Sequence, residues 1–67
     1  MKNRIEEKRK ALSMTQQQLA AELGVSRQTI ISLETGRYNP SLLLAFQLAR
    51  LFNMTVEELF LYEEEEK

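Results

Sequence analysis

Residues 15–37, TQQQLAAELGVSRQTIISLETGR, constrain what this chain can fold into more than any other stretch. Leu19, Ala20 and Leu23 recur at helical spacing. Thr15, with Gln18 three positions on, has the form of a capping box, in which the hydroxyl and the amide each satisfy a backbone N–H that the first turn leaves orphaned. The pattern predicts a helix over residues 16–22. Gly24 supplies the positive φ that a sharp helix exit needs, and Val25 places an apolar plug just outside the turn. Ser26 is suited to cap a second helix, whose apolar positions are Ile30, Ile31 and Leu33 and whose run closes at Gly36.

The spacing says more than either helix alone. Ala20 lies four residues before Gly24, and Ile30 and Leu33 lie six and nine after it. One small residue lets the helices cross closely while two larger ones fill the angle between them. In wording as in spacing, T-Q-x-x-L-A-x-x-L-G-V-S-R-Q-T-I-x-x-L-E-x-G resembles the helix-turn-helix of the Cro/C1-type family of bacterial, archaeal and phage regulators, also called the xenobiotic-response-element family. The resemblance continues through Ile5 and Arg9 upstream and through Asn39, Pro40, Ser41, Ala49, Phe52 and Leu59 downstream, about residues 3–60. It implies an all-α, five-helix, lambda-repressor-like DNA-binding domain with the motif at about residues 16–35.

Composition narrows the alternatives. A chain of 67 residues makes one domain over residues 1–67, and a domain of this size buries only about 60% of the surface its unfolded chain exposes. With no Cys and no His, the chain lacks disulfides, thiolate ligands and the usual neutral-pH acid-base group, so neither a metal nor a cofactor is expected. Catalysis would have to rest on glutamates at helix starts and in the acidic tail, residues 63–67, which is no cleft; an enzyme is not expected. No apolar run reaches the roughly 20 residues that span a bilayer, and the opening MKNRIEEKRK is not a signal peptide, which predicts a cytoplasmic protein. The net charge of −1 hides an asymmetry, since residues 1–42 carry seven Lys or Arg against four Glu, and residues 43–67 two against six. A basic front suits phosphates, although mixed charge is also the ordinary state of a solvated surface.

Around the motif the chain reads in order. Asn3 and Glu6 form a plausible N-cap and N3 pair for a helix from Arg4 to about Leu12. Ile5, Arg9 and Leu12 share one face of it. Arg9 on that stripe either packs its stem and snorkels its head to water, or pairs with a carboxylate, for which Glu34 is the candidate; the family resemblance implies the pair. Pro40 keeps the residue before it extended, and Ser41 can cap a helix running to about Phe52. Nine of its twelve residues are apolar, more than one stripe requires. Leu42, Ala45, Phe46, Ala49 and Phe52 form the stripe expected to cover the motif. Leu44, Leu48 and Leu51 form a surplus stripe which, with Leu61 and Tyr62, is expected to form a homodimer interface. Thr55 and Glu58 make a second capping box for a last short helix, and residues 60–62 suit a short strand pairing with residues 1–3 or with a partner chain.

For function the geometry of the second motif helix matters most. With Ile30 and Leu33 inward, Gln28, Ile31, Ser32 and Thr35 point away, flanked by Arg27 and Thr29. Gln can pair bidentately with adenine, Ser can bond either base class, and Ile can touch a thymine methyl, so Arg27, Gln28, Ile31 and Ser32 are the expected base contacts. Backbone contacts are expected from Ser26 and, as the resemblance implies, from Gln16 and the loop Arg37, Tyr38 and Asn39; helix N-termini and basic loops suit that task. The alternative for each is merely the wet side of a helix. The resulting expectation is a sequence-specific binder of double-stranded DNA, a transcription repressor acting as a homodimer on a two-fold operator, with no small-molecule effector site evident. The rival is an antitoxin-like interaction module whose extra apolar face grips a different protein.

Overall fold

Four hydroxyls set where helices begin. In the computed structural model, which describes residues 2–60, Thr15, Ser26, Ser41 and Thr55 each hold an extended backbone and accept the N–H of the residue three positions on. The five helices are α1 Ile5–Ala11, α2 Gln16–Leu23, α3 Arg27–Glu34, α4 Leu42–Leu51 and α5 Val56–Leu59. Both capping boxes close reciprocally, with Gln18 and Glu58 returning to the N–H groups of Thr15 and Thr55. Gly24 exits α2 at φ 72°, a conformation that needs no compensation when a Cβ is absent.

The first helix departs from expectation. Asn3 does not cap a helix starting at Arg4: α1 begins at Ile5, and Arg4 in the cap position makes no side-chain cap bond. Asn3 instead sits in an antiparallel bridge with Phe60, and the Arg4 N–H donates to the Leu59 carbonyl at 2.8 Å. From that extended position the Asn3 Oδ1 accepts the Ile5 N–H at 3.0 Å, while its Nδ2 donates to the Leu33 carbonyl at 2.8 Å. One side chain thus starts α1 and satisfies an end carbonyl of α3. The rest of the strand expected over residues 60–62, including Leu61 and Tyr62, lies outside the described residues.

The core gathers Ile5 of α1, Leu19 and Ala20 of α2, Ile30 and Leu33 of α3, Leu44, Ala45 and Leu48 of α4, and Leu59 with Phe60 at the α5 end. Ala20 and Ala45 are the small residues of this cluster, of a size that permits close approach of helices, and the larger side chains fill the remaining space. Here the second expectation is corrected. Leu44 and Leu48 are not an outward stripe: they are buried at 7% and 0% exposure, and Leu51 packs against the same cluster. The apolar residues left outside α4 are Leu42 at 71%, Leu43 at 69% and Phe46 at 51%. The buried face straddles the two stripes, taking the alanines from one and the leucines from the other. Alanines bring α4 close to its neighbours, whereas Leu42 and Phe46 at the same face would hold it away.

Candidate nucleic-acid interface

The exposed side of α3 starts from its cap. Ser26 Oγ accepts the Thr29 N–H at 3.1 Å and shares a 3.0 Å hydrogen bond with the Thr29 hydroxyl, so the first turn is held by two neighbouring oxygens. Arg27 and Gln28 follow and are exposed, whereas Ile31 and Ser32 are half-buried. Ile31 is therefore less open than a purely outward residue, its inner edge shared with the domain.

At the other end of α3, Gly36 at φ 79° turns the chain back. The Ser32 carbonyl then accepts three donors, the N–H groups of Arg37 and Tyr38 at 3.1 and 3.3 Å and the Thr35 hydroxyl at 3.1 Å. This fold-back keeps Arg37, Tyr38 and Asn39 exposed beside the helix they follow. Ser26, Gln28, Thr29, Ser32 and Tyr38 line one small notch there, three hydroxyl-bearing aliphatic side chains and a phenol around an amide. Such a surface offers donors and acceptors to both base edges and phosphate oxygens. Thr29 is the lining residue that the sequence reading left on the flank; its place follows from its bond to the Ser26 cap.

Behind this surface lies a polar cluster that joins three helices. Arg9 of α1 donates from Nε to Glu34 Oε2 at 2.6 Å and from Nη2 to Glu34 Oε1 at 3.4 Å, and its Nη1 reaches the Met14 carbonyl at 2.8 Å. Gln16 at the start of α2 donates from Nε2 to Glu34 Oε1 at 3.1 Å. The two charged side chains are 9% and 4% exposed. The hydrogen bond to Glu34 holds the Arg9 pKa above its ordinary value against the opposing effect of burial. No buried side-chain nitrogen or oxygen among the described residues is left without a partner. Gln16, expected to reach for phosphate, is thus anchored by its amide nitrogen, and what the start of α2 offers outward is the rest of that amide and its first backbone N–H groups. Among the described residues no cluster of acidic side chains could hold a metal ion, and no helix is long and apolar enough to cross a membrane.

The assembled features are two short helices turning on Gly24, the second of them capped by Ser26 with Arg27 and Gln28 exposed, and a basic loop folded against it. A helix-turn-helix family model matches residues 5–59, from the first buried residue of α1 to the last of α5. The chain belongs to the Cro/C1-type helix-turn-helix family. Similar curated proteins agree across almost their entire length. One from Archaeoglobus fulgidus is 52% identical over 66 residues, covering 98% of this chain and 93% of that protein. Another, from Methanocaldococcus jannaschii, is 50% identical and covers 98% and 100%. A third, from Bacillus subtilis, is 43% identical over 65 residues, covering 97% and 98%. Each bears the name uncharacterized HTH-type transcriptional regulator. DNA binding and the regulation of transcription are the activities of the Cro/C1-type family, which is not an enzyme family.

Proposed function

We propose that this helix-turn-helix protein is a sequence-specific binder of double-stranded DNA and a repressor of transcription, acting as a homodimer on a two-fold operator in the cytoplasm. A single domain over residues 1–67 suffices for this role. Arg27, Gln28, Ile31 and Ser32 read base edges in the major groove, and Ser26, Gln16, Arg37, Tyr38 and Asn39 hold the phosphates on either side. The observation that carries the reading is the fold-back of the loop onto the Ser32 carbonyl, which brings Tyr38 into one notch with the exposed Gln28 and leaves the neighbouring Arg37 exposed. Base-reading and phosphate-holding groups must lie side by side for a helix to sit in a groove. A compact DNA binder acts most simply by occupying a site that polymerase needs.

The test is a selection of bound sequences from random DNA, done in parallel with the native chain and with Gln28→Ala. The native chain should enrich an inverted repeat with half-site centres about 34 Å apart, one turn of the duplex. Gln28→Ala should relax preference at one position in each half-site and lose roughly 1–3 kcal/mol on the best site. If no sequence is enriched, the specific-binding reading is wrong.

The second reading, an antitoxin-like module that grips a different protein, draws on the exposure of Leu42, Leu43 and Phe46. Apolar side chains grouped on one face usually mark a surface that another molecule covers.

A further inference from the structure

The apolar side chains that α4 leaves outside its own core do not stand on a flat surface. Leu42, Phe46 and Ala49, each about one turn from the next, form one wall of an open groove whose other wall is Met54, Thr55 and Val56 at the start of α5. Arg50 and Glu57 also line it, and both are exposed. Neither takes part in an ion pair among the described residues, whose pairs are Glu7 with Lys8, Arg9 with Glu34, and Glu6 with Lys10.

We infer that the occupant of this groove is the groove of a second copy, with Arg50 of each chain facing Glu57 of the other. The inference rests on the homodimer reading above and names the surface that makes the dimer. A two-fold interface must be self-complementary, so every projection on the patch needs a hollow on the same patch and every charge its opposite. This groove carries both. Phe46 projects, half exposed, one turn away from Ala49, whose small side chain is buried and leaves a hollow beside it. An antiparallel copy therefore sets each Phe46 over the other chain's Ala49, between Met54 and Val56. The charges match in the same way, since Arg50 comes from α4 and Glu57 from α5, and a two-fold axis that sets α4 of each copy against α5 of the other brings each to its counterpart. A surface built for a foreign protein has no need to carry its own counter-charge. The interface thus consists of residues other than Leu44 and Leu48, which the chain's own core consumes.

Charge reversal tests this without disturbing the core, because both residues are exposed. Sedimentation without DNA should find the native chain dimeric, and Arg50→Glu or Glu57→Arg alone should weaken the dimer by about tenfold or more, since each places two like-charged pairs across the axis. An equimolar mixture of the two variants restores opposite charges at both positions. It should form a mixed dimer, seen by native mass spectrometry as one chain of each kind, about as tight as the native one. Circular dichroism of each variant should match the native chain. A native dimer whose strength ignores both reversals, or a mixture without mixed dimers, overturns the groove pairing and leaves the two-fold operator reading in place. A chain monomeric at every concentration, with and without its selected DNA, overturns the two together and assigns the groove to a different protein.

Discussion

Gln16 and Glu34, the first residue of α2 and the last of α3, are joined by a 3.1 Å hydrogen bond from an amide to a carboxylate that already holds Arg9. The start of one motif helix is therefore tied to the end of the other through the charge that also anchors α1. The carboxylate sits in the last turn of α3, where the helix dipole disfavours a negative group, and the arginine offsets it.

Breaking this cluster should be costly. Arg9→Ala leaves Glu34 buried without its cation and frees the Met14 carbonyl, and is expected to destabilise by about 3–5 kcal/mol in denaturant melts, with Glu34→Ala close behind. Gln16→Ala removes one hydrogen bond to a charged group and should lose about 1.5–3 kcal/mol at most. The sign of the pH dependence follows from the raised Arg9 pKa. A cation whose folded pKa lies above its unfolded one stabilises fully below the unfolded value and loses that contribution only as pH rises through the folded one. On the arginine side, melts should therefore be flat across neutral pH and fall only under strongly alkaline conditions. A loss below about 1 kcal/mol in both alanine variants would place the pair among weak surface pairs.

The orientation of α4 is checked by two leucines of one helix. Leu48 is fully buried and Leu43 is 69% exposed. Leu48→Ala should cost about 2–5 kcal/mol and Leu43→Ala less than about 0.5 kcal/mol. Equal losses at both would mean that α4 is rotated from the position described.

Three left-handed positions respond in opposite directions. Ser13 holds φ 59°, where its Cβ is disfavoured, so Ser13→Gly should stabilise by roughly 0.5–1 kcal/mol once the added freedom of the unfolded glycine is subtracted. Asn53 at φ 57° tolerates this region better, and Asn53→Gly should stay within about 0.5 kcal/mol of native. Gly24→Ala meets no atom within 4 Å, so its loss, about 1 kcal/mol, is purely conformational. Thermal melts of the three variants test the order.

Arg37 should act without regard to sequence. Arg37→Ala is expected to weaken specific and random DNA alike and to reduce the salt slope of binding by about one for each half of the dimer. A salt titration on both kinds of DNA decides it. Should the variant change base preference and leave the slope intact, Arg37 reads bases and its assigned role is wrong.

What the sequence made legible follows the range of each interaction. The caps at Thr15, Ser26, Ser41 and Thr55 were readable because cap and partner lie three residues apart, and so were the two glycine turns at Gly24 and Gly36. The expected partner of Arg9 came from charge logic and resemblance, and the two side chains do meet. The face of α4 was not readable, because with nine apolar residues in twelve several stripes have helical spacing and only the neighbouring helices choose among them. Asn3 was misread for a related reason. Its local pattern suited a cap, while the decisive partners, Leu33 and Phe60, are distant in sequence. Likewise nothing around Gln16 announced Glu34, eighteen residues on.

The meeting of Asn3 with Phe60 bears on the order in which the chain assembles. It closes residues 3–60 into one long loop, and the entropy of closing a loop grows with its length. The contacts between α2 and α3 close far smaller loops. The motif that meets DNA should form early, and the clasp between the two ends last. In native-state hydrogen exchange the Arg4 amide, bonded to Leu59, should then open at lower free energy than the amides buried in α2 and α3. The ends can unlatch while the part that meets DNA stays whole.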